Sequence, residues 1–309
     1  MRPPIVIVGL LVALAACGGD AGPRVTRTTA ADPTPAETRL TRELLFVGRS
    51  RGRPLVASIA FRSFDADSLR AREIRGWLAR DNRWETFLDE RWTSSAVGSA
   101  WTVVPHGDLR MAAGGPTGVE SLWFDRGARR MRLRIGEVLG QWNRGSTTRI
   151  HLMAATLNVG GDPTRGVVVE LLRVRRRADE EPGTSQQLIL TSGDSLVLLA
   201  DRAVGRGRES GALVWLRDGD GAREWTDVQV QTRGARLLHE ARREIPRHWT
   251  VTVAEGGIRA DVRGLGFAAE IGEERAGRRE VEARYTVSGW IERDGGRIPV
   301  SGLARYAVD

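Results

Sequence analysis

The stretch Ile245-Pro246-Arg247-His248-Trp249-Thr250-Val251-Thr252-Val253 decides how the rest of the chain is read. Trp249, Val251 and Val253 alternate with Thr250 and Thr252, the period of a half-buried strand. The chain turns at Glu255-Gly256-Gly257 and continues in short segments to Tyr285-Thr286-Val287-Ser288-Gly289-Trp290-Ile291. After Asp294-Gly295-Gly296 it returns from Ile298 to Tyr306, a hairpin whose turn glycines permit positive φ. Residues 245–309 thus read as the end of an antiparallel β-barrel or sandwich, and no catalytic motif accompanies them.

Upstream, Leu44-Leu45-Phe46-Val47-Gly48 and Leu55 to Phe64 form a second hairpin candidate. Its turn, Gly48-Arg49-Ser50-Arg51-Gly52, fits the Gly-x-Ser-x-Gly spacing of a nucleophile elbow. That device needs a helix after the serine, and a second strand follows here, so a loop is expected. From Asp67 to Trp92 the spacing of Ile74, Trp77, Leu78, Trp84, Leu88 and Trp92 suits one helical face, with Asp67 and Ser68 as caps. A short helical insertion packed on the first lobe is predicted there. Strand patterns resume at Met131 to Ile135, Ile150 to Ala154 and Gly166 to Leu172. The polar stretch from Arg177 to Ser185 marks a boundary, and more strand-like runs follow at 188–190, 196–200 and 213–216. A repeat supports two lobes: Gly160-Gly161-Asp162-Pro163 leads to Gly166-Val167, and Gly295-Gly296 leads through Pro299 to Gly302-Leu303.

The N-terminal residues read as an address. Arg2 precedes an apolar run from Ile5 to Ala16, shorter than the ~20 residues a bilayer span needs. The run ends Leu14-Ala15-Ala16-Cys17, which resembles the bacterial lipobox; the resemblance implies cleavage before Cys17 and its lipidation. Gly18 follows rather than aspartate, which by the lipobox rule implies the outer membrane, and the lobes are expected to face the periplasm. Cys17 is the only cysteine, so no internal disulfide can form. The organisation expected is a signal peptide over 1–17, a flexible Ala/Thr/Pro-rich tether over 18–42, and lobes over 43–180 and 185–309.

The net charge of +8 comes entirely from arginine, since all 47 basic residues are Arg and no lysine occurs. Arginines and carboxylates are interleaved, so a mixed solvated surface is expected and no nucleic-acid partner. His239-Glu240-Ala241-Arg242-Arg243 lacks the second histidine of a zinc helix. Asp218-Gly219-Asp220-Gly221 lacks the spacing of a calcium loop and suits a hairpin turn. No metal and no cofactor is expected. Trp215, Trp225 and Trp249 fall on strands of the second lobe and are the candidate ligand contacts.

Three features together are similar to a known family: Leu213-Val214-Trp215-Leu216 before the Asp-Gly turn, Pro246-Arg247-His248-Trp249, and the closing hairpin from Val287 to Tyr306. They resemble the tandem lipocalin-like family of AttH-like proteins and carotenoid hydratases such as hydroxyneurosporene synthase. The resemblance implies a mainly β chain of two lipocalin-like lobes with an apolar cavity suited to an isoprenoid or lipid. The function expected is an envelope lipoprotein, held at the membrane by its lipid anchor, that carries an apolar small molecule in a β-barrel cavity. The alternatives are a hydratase or cyclase acting on an isoprenoid, which would be a hydro-lyase, and a ligand-free structural lipoprotein. No catalytic residue of the family can be placed on this chain, so a binding protein is read first. An enzyme would need a buried carboxylic acid facing its cavity, with a raised pKa.

Overall fold

The computed structural model describes residues 24–27, 38–66, 69–95, 108–113, 119–127, 129–144, 148–176, 183–193, 195–205, 208–275 and 278–308. Among these every regular element is a strand. A short strand β1 (Arg24–Arg27) precedes nine strands: β2 (Thr38–Ser50), β3 (Arg53–Ala66), β4 (Leu69–Arg80), β5 (Arg83–Ser95), β6 (Leu109–Ala113), β7 (Val119–Arg126), β8 (Arg129–Arg144), β9 (Thr148–Val159) and β10 (Asp162–Arg176). Nine more follow: β11 (Gly183–Ser192), β12 (Leu196–Gly205), β13 (Arg208–Asp218), β14 (Gly221–Trp225), β15 (Gln229–Leu238), β16 (Arg243–Val253), β17 (Ile258–Arg275), β18 (Arg278–Arg293) and β19 (Gly296–Val308).

Each set of nine forms one antiparallel sheet of identical connectivity. The first runs β5-β4-β3-β2-β10-β9-β8-β7-β6 and the second β14-β13-β12-β11-β19-β18-β17-β16-β15. In both, the first strand of the set pairs with the last, so the sheet curls on itself and leaves its edges in mid-sequence. Side chains bring the edges of the first sheet together: Phe87 of β5 meets Phe124 of β7 at 6.1 Å between ring centroids, and Arg126 pairs with Glu90.

The glycine repeat seen in the sequence falls on equivalent positions. Val167 faces Val47 across the β10–β2 ladder, and Leu303 faces Ile189 across β19–β11. The residue before each is a glycine. A Cβ on Gly166 would stand 2.1 Å from Val47 O, and one on Gly302 would stand 1.9 Å from Ile189 O. Both ladders close only over a bare backbone.

The helical insertion expected over 67–92 is not there. Residues 69–80 and 83–95 form the β4–β5 hairpin, turned through Asp81 and Asn82 with φ of 49° and 63°. Asp67 and Ser68, read as caps, lie outside the described residues. The misleading spacing has a physical cause, burial of both faces. Ile74 and Leu78 enter the core of the first lobe, while Trp77 and Ala79 face the second sheet. A bulge between Gly76 and Trp77 shifts the register further, and the Phe87 ring fills the space over Gly76. Two-sided burial erases the alternation that a half-buried strand shows.

Within the stretch read as a tether, Arg24–Arg27 pairs in parallel with residues 268–271 of β17, and β2 begins at Thr38. Strand pairing needs only backbone groups, so a Thr- and Arg-bearing segment of low hydropathy can dock on an open ladder. The Gly-x-Ser-x-Gly stretch is the β2–β3 turn, with Arg51 and Gly52 at positive φ and Ser50 paired to Arg53.

Candidate functional site

The two sheets pack face to face, and three apolar clusters result. One fills the first lobe, one fills the second, and the third lies between them. The interlobe cluster takes alternate residues of strands whose other face enters a lobe: Leu45 and Val47 from β2, Val167, Val169 and Leu171 from β10, Ile189 from β11 and Leu303 from β19. Uninterrupted apolar runs such as Leu44–Val47 therefore mark the strands buried on both sides.

Beside this cluster the interface is ionic. The first lobe contributes Glu43, Arg62, Glu73 and Arg75; the second contributes Glu270, Glu282, Arg284 and Arg305. Four arginines thus meet four glutamates. Arg62 forks onto Glu270, with Nη2 donating to Oε2 at 2.9 Å, and Arg75 Nη1 donates to the other oxygen at 2.9 Å. Arg284 is fully buried: Nη2 donates to Glu282 at 2.7 Å, Nε donates to Ser58 Oγ at 2.7 Å, and its guanidinium lies 4.0 Å from the Trp77 ring centroid. Arg305 Nε donates to Glu282 at 2.8 Å and stands 2.7 Å from Glu43 Oε2.

Glu43 and Glu282 share two cations, since Arg284 and Arg305 each reach both carboxyls. Burial pushes Glu43 above the ordinary carboxylate range, with the Glu282 charge adding to the rise against Arg305 and Arg284. Burial also works to raise Glu282, but Arg284, Arg305 and Arg62 outweigh it and hold that carboxyl well below the ordinary range. Glu270 is lowered in the same way: burial opposes it and Arg62 prevails. The sign of the pH dependence follows. The stability due to Glu270 and Glu282 is present above ~4.3, the free glutamate value, and is lost as the pH falls through their folded values. The contribution of Glu43 is present below ~4.3 and is lost as the pH rises through its raised folded value. Urea midpoints measured against pH should show both limbs, and Glu43→Gln should flatten the alkaline one while leaving the acid one in place.

At the other end of the interlobe cluster the sheets part. A cleft of about 740 Å³ opens between β8, β9 and β10 of the first lobe and the β11–β12 and β13–β14 turns of the second. Val47, Leu139, Val167 and Val197 belong both to its wall and to the interlobe apolar cluster, so the cleft floor is the exposed end of that cluster. Gly48, Gly136 and Gly166 also line it. Arg49, Arg134, Arg165 and Arg217 stand on its walls and are exposed. Glu137 and Asp218 are the acidic residues lining it, and both are engaged: Glu137 by Arg217 at 3.8 Å and Asp218 by a close pair with Arg293. The Asp-Gly turn considered for calcium is an Asx turn, with Asp220 N donating to Asp218 Oδ1 at 2.9 Å.

The three tryptophans selected from the sequence separate. Trp249 is fully buried in the second lobe, edge-on to Tyr285 at 4.9 Å, and Trp225 packs on the same cluster. Burial pushes the Tyr285 phenol well above its ordinary value. Trp215 points to the opposite face, into the interlobe cluster, edge-on to Trp142 at 6.2 Å. None of the three lines the cleft. Cys17 lies outside the described residues.

Sequence reasoning missed two things. The ion network joins Glu43 to Arg305 at the far end of the chain, and only strand pairing makes them neighbours. The second is a buried dyad in the first lobe. His151 Nδ1 lies 3.1 Å from Glu170 Oε2, whose other oxygen accepts from Val119 N at 3.3 Å. Arg42 Nε is 3.1 Å from that oxygen but off the N–H axis, an ion pair rather than a hydrogen bond. An ionisable residue inside an apolar strand run (Glu170 within Val167–Leu172) was the available signal.

Two curled nine-stranded antiparallel sheets of the same connectivity, packed face to face, define the architecture that the sequence resemblance implied. Solved structures of that kind match over most of the chain. An AttH-like protein from Nitrosomonas europaea has a TM-score of 0.58 at 14% identity, covering 89% of this chain and 92% of its own. Kievitone hydratase from Nectria haematococca has a TM-score of 0.55 at 11% identity, covering 89% of each. CghA matches with 0.56 at 11% identity over 88% of each chain, and its complex with Sch210972 with 0.52. The chain therefore shares the AttH and kievitone hydratase fold. No protein-family model matches the sequence, and comparison with curated proteins finds no match.

Proposed function

We propose that this chain binds an apolar small molecule of lipid or isoprenoid type at the bacterial cell envelope, anchored there through Cys17. The observation that carries the reading is the cleft: its volume, about 740 Å³, lies within the range of small-molecule sites, and its floor is the open end of a packed apolar cluster. This reading puts the ligand between the lobes rather than in the barrel cavity expected from the sequence. Support also comes from the relatives, since kievitone hydratase and the CghA complex carry small molecules in their names on the same architecture.

Native mass spectrometry of the chain lacking residues 1–17, which retains every described strand, tests this after incubation with host lipid extract. One apolar molecule per chain is the expected result. A bare mass with no uptake would leave a ligand-free interaction protein as the better account.

A second reading, hydration or cyclisation of an isoprenoid, draws on Glu43, a buried carboxyl with a raised pKa. Its position argues against that role. Glu43 is four residues along β2 from Val47 in the cleft wall, ~13 Å at strand spacing, and it is enclosed by Ser58, Arg284 and Arg305.

A further inference from the structure

The cleft has an apolar floor but a cationic wall, and the register of the strands explains how that wall is assembled. Arg134 of β8 stands directly opposite Thr156 of β9, and Thr156 stands directly opposite Arg165 of β10. Directly paired residues project from the same face of a sheet, so Arg134, Thr156 and Arg165 form one cross-strand row on the cleft side, and all three line it. With strands ~4.8 Å apart, the two arginine Cα atoms are about 10 Å from each other, a separation over which two long side chains can meet on one group. Arg49 follows Gly48, which pairs with Gly166 beside Arg165, so it extends the row onto β2.

Arg134 and Arg165 have no ion-pair or hydrogen-bond partner among the described residues, whereas most arginines at the other end of the interface are held by glutamate. The cleft carboxylates face other arginines, Glu137 lying 3.8 Å from Arg217 and Asp218 pairing closely with Arg293.

We infer that the row Arg134–Thr156–Arg165 is an anion subsite, and that the ligand is amphipathic: an apolar body on Val47, Leu139, Val167 and Val197, with a carboxylate or phosphate monoester held by the two guanidinium groups. Arginine suits both anions because its planar fork donates two parallel hydrogen bonds. Thr156 supplies a hydroxyl between them. This inference rests on the cleft being the ligand site, and it adds the chemical class of the ligand.

The test compares laurate, dodecanol, dodecyl phosphate and inorganic phosphate by calorimetry on the chain lacking residues 1–17. Laurate and dodecyl phosphate are expected to bind at least tenfold tighter than dodecanol, with an advantage that shrinks as salt rises. In the Arg134→Gln/Arg165→Gln variant the ratio of laurate to dodecanol affinity is expected to fall to near one; both positions are exposed, and circular dichroism checks that the fold is kept. Equal binding of laurate and dodecanol to the unaltered chain would overturn the anion subsite while leaving the apolar cleft standing. Inorganic phosphate binding as tightly as dodecyl phosphate would overturn the amphipathic ligand. Binding of none of the four would overturn the subsite together with the cleft reading on which it rests.

Discussion

Glu270→Gln is expected to destabilise the chain by about 3–5 kcal/mol, the cost of removing one partner from a buried ion pair. Glu270 holds both Arg62 and Arg75 and lies 3.9 Å from Arg284, so Arg62 loses its nearest anion and two further guanidinium groups lose one of theirs. Burial pushes the Glu43 carboxyl up, so folding disfavours its charged form, and a glutamine keeps its shape, so a smaller loss of ~1 kcal/mol is expected of Glu43→Gln. Denaturant titration of the two variants measures the contrast. Equal losses would mean that the Glu43 charge stabilises the folded chain as much as that of Glu270, against the direction in which burial moves its carboxyl. Because the network joins β3 and β4 of one lobe to β17, β18 and β19 of the other, Glu270→Gln should also lower the cooperativity of unfolding by loosening the lobes from each other.

The second large effect concerns the closure of each sheet. Gly302→Ala drives a methyl to 1.9 Å from Ile189 O, where the first and last strands of the second set pair, and no side-chain rotation can relieve a backbone contact. The expected cost is about 3 kcal/mol, the upper end for overpacking. Gly166→Ala makes the equivalent contact with Val47 O at 2.1 Å and should cost a similar amount. Gly211→Ala is the control. Nothing lies within 4 Å of its Cβ and its φ is not positive, so lost freedom of the unfolded chain should stabilise by ~0.4–1 kcal/mol. Thermal melts of the three variants report the order, and a Gly302→Ala chain as stable as Gly211→Ala would contradict the register of the β11–β19 ladder.

The parts of this fold visible in the sequence are those whose physics is local. Trp249, Val251 and Val253 alternate because only one face of β16 is buried against apolar neighbours, and the Gly295 turn carries its positive φ in its composition. The β4–β5 hairpin was hidden for the opposite reason: Trp77 and Leu78 are adjacent yet buried on opposite faces, which mimics a helical stripe. The glycine repeat was visible, but its meaning needed the ladder, since nothing local says that Gly166 and Gly302 each meet a carbonyl of another strand. The cleft was not legible at all. Its walls draw on strands separated by most of the chain, and Arg134 and Arg165 become neighbours only through Thr156. Tryptophan content pointed to Trp215, Trp225 and Trp249, which the packing sends to two different faces.

The claim that the ligand lies between the lobes is tested most directly by photo-crosslinking. A diazirine-bearing twelve-carbon fatty acid, irradiated with the chain lacking residues 1–17 and mapped by peptide mass spectrometry, should label residues 135–137, 139, 167 and 197, which line the cleft. Labelling concentrated instead at Trp249, Phe267 and Tyr285 would place the ligand inside the second lobe and contradict the account.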